Sequence, residues 1–169
     1  MKDAKIKKLV MSALLAALVF AATMVIKIPS PTGGYVNLGD CFVLLSGWLL
    51  GPWYGAAAAG IGSMLTDLLA GYTYYVPATL IIKAADAMAA GLIWRAMGRK
   101  RGALVVSGIV GELIMVFGYF GFTALLLGKG LGAALSIPGD LVQGATGIVL
   151  GILLMKIFEH SKVMDKIMK

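Results

Sequence analysis

CFVLLSGWLLGPWYGAAAAGIGSMLTDLLA, residues 41–70, is an almost unbroken apolar run in the middle of the chain. The run is long enough for one tilted membrane-spanning helix or for two short helices that meet at Gly51, Pro52 and Trp53. Proline inside a helix removes a backbone hydrogen bond, and glycine adopts turn conformations that other residues resist. The number of helices in this run decides the fold, and charges elsewhere in the chain decide that number.

The composition is that of an integral membrane protein. Of the 169 residues, 60% are apolar and 14% are charged, and the mean hydropathy is +0.92. Apolar runs of about 18 residues are typical of spanning helices, whereas a membrane barrel would show short alternating segments. We therefore predict an all-α protein with helices throughout. Outside residues 41–70, the predicted spans are Leu9–Ile26, Pro77–Trp94, Ala103–Leu127 and Ile137–Phe158.

The basic residues fall into three clusters beside the apolar runs. Lysine and arginine are enriched in the cytoplasmic loops of membrane proteins. We therefore attribute the net charge of +7 to the orientation of the helices in the membrane and predict no nucleic-acid partner. Placing all three clusters in the cytoplasm requires an even number of spans before Arg95, so residues 41–70 must form two helices. The prediction is a six-transmembrane-helix bundle, a single domain over residues 1–169, with both termini cytoplasmic. The clusters are Lys2, Lys5, Lys7 and Lys8; Arg95, Arg99, Lys100 and Arg101; and Lys156, Lys162, Lys166 and Lys169.

The first outer loop in this topology has an unusual sequence. Residues 28–40 read IPSPTGGYVNLGD, with two prolines that stiffen the entrance and three glycines that permit unusual backbone conformations. A plain connector needs far fewer residues. We predict that this loop acts as a hinged lid on the outer face of the membrane.

Ionisable residues inside the predicted helices are informative because each costs about 2.5 to 3.5 kcal/mol to insert into a bilayer. Lys83 and Asp86 are three residues apart, so they can pair on one helical face. Structural pairing is one interpretation of these groups, and a polar pocket open to the outside is the other. The full set is Asp40, Asp67, Lys83, Asp86, Glu112 and Asp140.

Aromatic and amide residues cluster toward the same outer side and favour the pocket. Rings that stack, together with amides and carboxylates that hydrogen-bond, suit a small flat heteroaromatic ligand. Tyrosine also collects at membrane interfaces for packing reasons alone, so this alternative stays open. The residues concerned are Tyr35, Asn37, Tyr72, Tyr74, Tyr75, Tyr119 and Gln143.

The first helix carries small residues at intervals of four. Ala13, Ala17 and Ala21 form one stripe, and small side chains allow close approach of another helix in lipid. The stripe is either a docking surface for a partner or a contact with a neighbouring helix of the same chain.

The chain lacks residues that several kinds of catalysis and metal binding require. His160 is the only histidine, so a serine–histidine dyad within the membrane and a histidine metal cluster are excluded, and we predict neither an enzyme nor a metal site. No phosphate-binding loop of the form GxxxxGK[ST] occurs, so any ATP-driven step requires partner subunits. Cys41 is the only cysteine, which excludes an intrachain disulfide.

Three stretches carry a family resemblance: GGYVNLGD at Gly33–Asp40, LLGPWYGAAAAGIGSMLTDLLAGY at Leu49–Tyr72 and YVPATLIIKAADAMAAG at Tyr75–Gly91. They resemble the riboflavin-type group of substrate-binding S components of energy-coupling factor (ECF) vitamin transporters. The resemblance extends over essentially the whole chain. It implies a multi-pass protein of the prokaryotic plasma membrane that uses no cofactor of its own. The implied partners are a vitamin ligand, a transmembrane coupling protein and two cytoplasmic ATPases.

The resemblance also implies roles for individual residues. In this family the ligand is bound by the first outer loop and helices four to six, and the small-residue stripe of helix one docks on the coupling protein. Carried over by similarity, the docking positions are Ala13, Ala17 and Ala21. The candidate ligand contacts are Tyr35, Asn37, Lys83, Glu112, Tyr119 and Gln143.

The expected cargo is a small vitamin or vitamin precursor, with pyridoxine (vitamin B6) or hydroxymethylpyrimidine the best candidates. Riboflavin, thiamine and folate are alternative substrates, because they can use the same ring-stacking groups. A self-sufficient ion-coupled carrier or channel is the alternative function, motivated by the carboxylates within the membrane.

Overall fold

The computed structural model describes residues 2–160, with side chains from Lys5 onward. Six α-helices follow one another in this part of the chain and pack into one bundle. Lys162, Lys166 and Lys169 of the third basic cluster lie outside the described residues, and the cytoplasmic position of the termini stays a prediction. The helices are α1 (Lys2–Val25), α2 (Asp40–Leu50), α3 (Pro52–Leu69), α4 (Val76–Ala96), α5 (Arg101–Gly121) and α6 (Ile137–His160).

The turn at Gly51 confirms that residues 41–70 form two helices. Helix α2 ends at Leu50, Gly51 adopts a φ of 84°, and Pro52 occupies the first turn of α3. This positive φ favours glycine, and proline is tolerated at a helix start because its missing N–H would have no partner there. A side chain at position 51 would also collide with the guanidinium of Arg95.

Four helical segments of the described chain are long and apolar enough to cross a membrane, namely Lys5–Val25, Val76–Ala96, Arg101–Leu126 and Gly130–His160. Helix α2 is shorter, and ten of its 11 residues are buried. It contacts α1, α3, α4 and α6, so it lies inside the bundle. The count of six spans stays a prediction, because α2 is too short to cross the hydrocarbon region at about 1.5 Å per residue.

Helices α2 and α4 pack with their backbones close together. A Cβ atom at Gly91 of α4 would lie 2.6 Å from the carbonyl oxygen of Gly47 of α2, and a Cβ at Gly47 would collide with the carbonyl of Ala87. Beside this contact, the indole of the buried Trp48 donates a hydrogen bond to Ser107 Oγ at 3.0 Å. These contacts hold α2 at the centre of the bundle.

We expect Gly91→Ala to destabilise the protein by about 1–3 kcal/mol, since the added methyl group meets backbone atoms that cannot rotate away. Thermal unfolding in detergent measures the change. Gly102→Ala is the matched control, because Gly102 lies in the first turn of α5 and a Cβ there would meet no neighbouring atom within 4 Å. Equal unfolding temperatures for the two variants would contradict the close α2–α4 contact.

The expectation of helices throughout is wrong in the first outer loop. Strands β1 (Lys27–Pro29) and β2 (Tyr35–Asn37) form an antiparallel hairpin in which Ile28 faces Val36. Gly33, with a φ of 88°, sits in the turn, and its N–H donates to the carbonyl of Ser30 at 3.0 Å. Each strand has only three residues, and β1 contains a proline, so the sequence carries no clear strand pattern here.

Two irregular helices complete the chain between α5 and α6. A π-helical turn over Phe122–Leu126 continues α5, and a 3-10 helix over Gly130–Ser136 leads into α6. Lys129 lies between them and donates a hydrogen bond to the carbonyl of Thr32 in the hairpin turn. This connection therefore holds the tip of the hairpin.

Candidate ligand-binding cavity

A cavity of about 50 Å³ lies between the hairpin and the helices α3 to α6. The hairpin covers it with Tyr35 and Asn37, while polar side chains from several helices form its walls. These wall residues include Asp67 of α3, Thr79 and Lys83 of α4, Tyr119 of α5, and Asp140 and Gln143 of α6. The arrangement offers both hydrogen-bonding groups and aromatic rings to a small molecule.

Asp67 connects the hairpin to helix α4. The Tyr35 hydroxyl donates to Asp67 Oδ1 at 2.5 Å, and Thr79 Oγ1 donates to Asp67 Oδ2 at 2.5 Å. Tyr119 donates in turn to Thr79 Oγ1 at 3.1 Å. Burial and the neighbouring Asp67 carboxylate raise the pKa of Tyr35 above its usual value of 10.0. The Tyr35 hydroxyl therefore stays protonated and donates to the carboxylate.

Gln143 connects the hairpin to helix α2. Its Oε1 accepts hydrogen bonds from the backbone N–H of Asn37 at 2.7 Å and from Asn37 Nδ2 at 3.3 Å. Its Nε2 donates to Asp40 Oδ2 at 2.6 Å. Both Asn37 and Gln143 are buried. The side chain of Gln143 thus fixes the closed position of the second strand.

Lys83 pairs with Asp40 of α2, and both side chains are buried. The predicted pairing of Lys83 with Asp86 is wrong. Although the two residues are close along α4, Lys83 lines the cavity, whereas Asp86 lies against α5, where a Cβ at Gly111 would collide with its Oδ1. Lys83 Nζ also lies 5.7 Å from the centroid of the Tyr119 ring, which is within the range of a cation–π contact.

The structure brings together five of the six predicted ligand contacts and leaves one out. The carboxylate of Glu112 is not among the residues that line the cavity; it lies deeper in the bundle beside Gly144 and Gly147. Asp67 and Asp140 were identifiable from the sequence as costly ionisable groups, but they were not assigned to the site. Nothing in the sequence indicated the serine and threonine side chains that also line it. The five residues in the cavity wall are Tyr35, Asn37, Lys83, Tyr119 and Gln143.

The small-residue stripe of α1 lies on the outside of the bundle. Ala13, Ala17 and Ala21 are all exposed. Beside the stripe is an apolar groove between α1 and α3, lined by Ala13, Trp53 and other residues of these two helices, and Trp53 is 76% exposed. The stripe is therefore free for contact with lipid or with another protein.

We expect Tyr35→Phe to weaken ligand binding by about tenfold, because phenylalanine cannot donate to the buried Asp67 and the hairpin loses its link to α3. Titration calorimetry with the purified protein measures the affinity. Tyr74→Phe is the control, since the Tyr74 hydroxyl bonds to the Gly33 carbonyl at an exposed site. If Tyr35→Phe binds ligand with unchanged affinity, the hydrogen bond between Tyr35 and Asp67 does not contribute to closing the hairpin.

Comparison with known families decides which class of protein carries this cavity. The family model described as ECF-type riboflavin transporter, S component, matches residues 3–160. The chain belongs to this family. It is thus a transporter S component and a multi-pass membrane protein, and its family is not one of enzymes.

Two relatives are similar to this S component over most of its length. It is 36% identical over 135 residues to a Pyrococcus woesei protein described as an uncharacterised protein in the gap 3′ region, and the match covers 79% of this chain and 88% of the relative. It is 28% identical over 170 residues to the thiamine precursor transporter HmpT of Lactococcus lactis subsp. cremoris (strain MG1363), covering 98% and 95% of the two chains.

A solved structure supports the fold. The S component described under "Structure and mechanism of the S component of a bacterial ECF transporter" superposes with a TM-score of 0.69 at 21% sequence identity. The match covers 92% of this chain and 97% of the solved chain. The fold of the present S component therefore follows a known arrangement.

Proposed function

We propose that this S component captures a small vitamin or vitamin precursor from outside the cell in the cavity beneath the hairpin. The observation that carries the proposal is the closed polar and aromatic cavity, covered by Tyr35 and Asn37 and reached by Lys83 and Gln143. The hairpin is the movable cover: its links to the helices are a few hydrogen bonds, which can break and re-form as ligand enters.

The chemistry of the cavity favours a single heteroaromatic ring that carries hydrogen-bond donors. Asp67 and Asp140 present acceptor oxygens, and an anionic phosphate group would be repelled by them. Tyr75 and Tyr119 provide rings against which a flat ligand packs. The cavity of about 50 Å³ must widen to admit any aromatic ligand, and one ring requires less widening than the three fused rings of riboflavin.

Hydroxymethylpyrimidine is the preferred ligand, with pyridoxine the second choice. Both are single-ring heteroaromatics with hydroxyl groups, and hydroxymethylpyrimidine also carries an amino group that can donate to a carboxylate. The relative HmpT, named as a thiamine precursor transporter, supports the first choice because hydroxymethylpyrimidine is the pyrimidine half of thiamine. Riboflavin, thiamine and folate are larger and are the alternative substrates.

Uptake itself depends on partner subunits. The chain carries no phosphate-binding loop, so ATP hydrolysis is supplied by two cytoplasmic ATPases joined to a transmembrane coupling protein. The exposed stripe of Ala13, Ala17 and Ala21 docks the loaded S component on that coupling protein. The S component then reorients in the cell membrane and releases its ligand inside.

The test is to identify the ligand that the purified protein retains by mass spectrometry, and then to measure affinities for hydroxymethylpyrimidine, pyridoxine, thiamine and riboflavin. We expect hydroxymethylpyrimidine to bind at least about 100-fold more tightly than riboflavin, equivalent to about 2.7 kcal/mol. Tightest binding of riboflavin would overturn the choice of ligand. Sustained transport by the reconstituted chain alone would favour a self-sufficient carrier.

A further inference from the structure

Three buried carboxylates meet deeper in the bundle than the cavity. Asp40 of α2, Asp86 of α4 and Glu112 of α5 each offer one oxygen atom, and these atoms lie within 4.8 Å of one another. The side chains are 1%, 0% and 5% exposed, respectively. From the sequence we predict no metal site, because the chain has no histidine cluster. Carboxylates alone can nevertheless bind a metal ion.

Two of these carboxylates are reached by no N–H or hydroxyl donor. Among the residues that the structure describes, this holds for both oxygens of Asp86 and both of Glu112, and Glu112 lies within hydrogen-bond range of the Asp40 carboxylate, which is itself an acceptor. Four unsatisfied carboxylate oxygens in a buried site are costly, and such groups call for a bound ion, a water or a proton. The lack of donors is a second observation, independent of the clustering. Carboxylates that lie close together usually accept hydrogen bonds from neighbouring donors, and those of Asp86 and Glu112 do not.

The local charges do not balance within residues 5–160. Lys83 is the basic side chain that pairs with the cluster, and it pairs with Asp40. Three carboxylates and one ammonium group leave two negative charges when all are ionised. Burying two uncompensated negative charges has a large desolvation cost, and one divalent cation would neutralise them.

Glycines keep space open beside the unsatisfied oxygens. A Cβ at Gly144 would lie 3.1 Å from Glu112 Oε2, and a Cβ at Gly147 would lie 2.9 Å from Glu112 Oε1. A Cβ at Gly111 would collide with Asp86 Oδ1. Larger residues at these positions of α5 and α6 would push the carboxylates out of their present arrangement.

We propose that Asp40, Asp86 and Glu112 bind one hard metal cation, divalent by charge balance. Calcium binds carboxylate oxygens at about 2.3 to 2.6 Å, so oxygens on opposite sides of the ion are separated by about 5 Å. The three ligand atoms lie within 4.8 Å of one another, so one ion of this size can contact all of them. Magnesium demands a near-ideal octahedral shell and gives up water reluctantly, which favours calcium in a buried site formed by protein carboxylates.

The cation site connects to the hairpin through Asp40. Gln143 donates to Asp40 Oδ2, and the same amide accepts two hydrogen bonds from Asn37. A cation that holds the Asp40 carboxylate therefore also supports the amide that keeps the second strand closed. This inference goes beyond vitamin capture and depends on no particular ligand.

The experiment uses the purified full-length protein in detergent without added vitamin. After treatment with a chelator, its thermal unfolding is followed in calcium chloride, magnesium chloride, sodium chloride and choline chloride at matched ionic strength. We expect a saturable rise in Tm of about 5 °C or more with calcium at 100 times its Kd, and none with choline. Asp86→Asn and Glu112→Gln should abolish the rise, whereas Glu159→Gln, which removes a carboxylate near the far end of α6, should retain it.

The same unfolding temperature in all four salts would overturn the proposal, as would a rise that persists in Asp86→Asn and Glu112→Gln. Equal unfolding temperatures would mean that protons neutralise the carboxylates, whereas a persistent rise would mean that calcium stabilises the protein at another site. If the variants do not fold, equilibrium dialysis of the wild-type protein with radioactive calcium replaces them: one ion per chain supports the site, and none overturns it. Failure of the protein to bind any vitamin would leave these readouts unaffected.

Discussion

Lys83→Met is expected to lower ligand affinity by at least about 100-fold, which corresponds to about 2.7 kcal/mol. Lys83 lines the cavity and forms a buried ion pair with Asp40, so the substitution removes a charged donor from the site. It also leaves Asp40 buried without its ionic partner, which costs about 3–5 kcal/mol of folding stability. Titration calorimetry and thermal unfolding on the same preparation measure both effects.

The double variant Asp40→Asn/Lys83→Met separates binding from stability. With both charges removed, no unpaired carboxylate remains at position 40, so most of the lost stability should return. Ligand affinity should stay low, because the ammonium group is still absent. Lys156→Met on the exposed side of α6 is the matched control and should change neither quantity. Recovery of full affinity in the double variant would show that Lys83 acts only through the fold.

Ala17→Trp is expected to abolish ATP-driven uptake and to leave ligand affinity unchanged. Ala17 is the centre of the exposed stripe on α1, and a bulky ring there would prevent close approach of a partner helix. The cavity is lined by other residues, so binding has no reason to change. Uptake is measured in cells that express the complete transporter, and affinity is measured on the purified S component.

Val149→Trp on α6 is the control for bulk on a lipid-facing surface, since Val149 is 59% exposed and lies on a different helix. It should leave both uptake and binding intact. Normal uptake by Ala17→Trp would mean that the stripe contacts lipid and that the coupling protein docks elsewhere. Loss of uptake in both variants would point to a general disturbance of membrane insertion.

The architecture followed from local features of the sequence. The basic clusters elsewhere in the chain required two helices in residues 41–70, and Gly51 and Pro52 fixed the position of the break because they act on the backbone at their own positions. Helical spacing placed Ala13, Ala17 and Ala21 on one face of α1, but only the structure showed that this face is exposed and does not pack inside the bundle.

The site was only partly predictable. Five of the six proposed contacts line the cavity because residues near the outer ends of the helices and in the hairpin converge there. Glu112 was expected among them on the basis of its depth and chemistry, yet depth along a helix does not say which neighbour a side chain meets. The hairpin was missed because its two strands are only three residues each, too short for a periodic pattern.

Composition, charge and the glycine–proline break were sufficient to predict a helical membrane protein and its order of helices, because hydrophobic transfer and backbone conformation depend on residues close together in the chain. The partner of Lys83 was different, since Asp40 is 43 residues away and reaches the lysine only after α2 enters the bundle. The meeting of Asp40, Asp86 and Glu112 from three helices likewise required packing. Contacts between distant residues depend on how helix faces fit together, and a pattern within one helix does not contain that information.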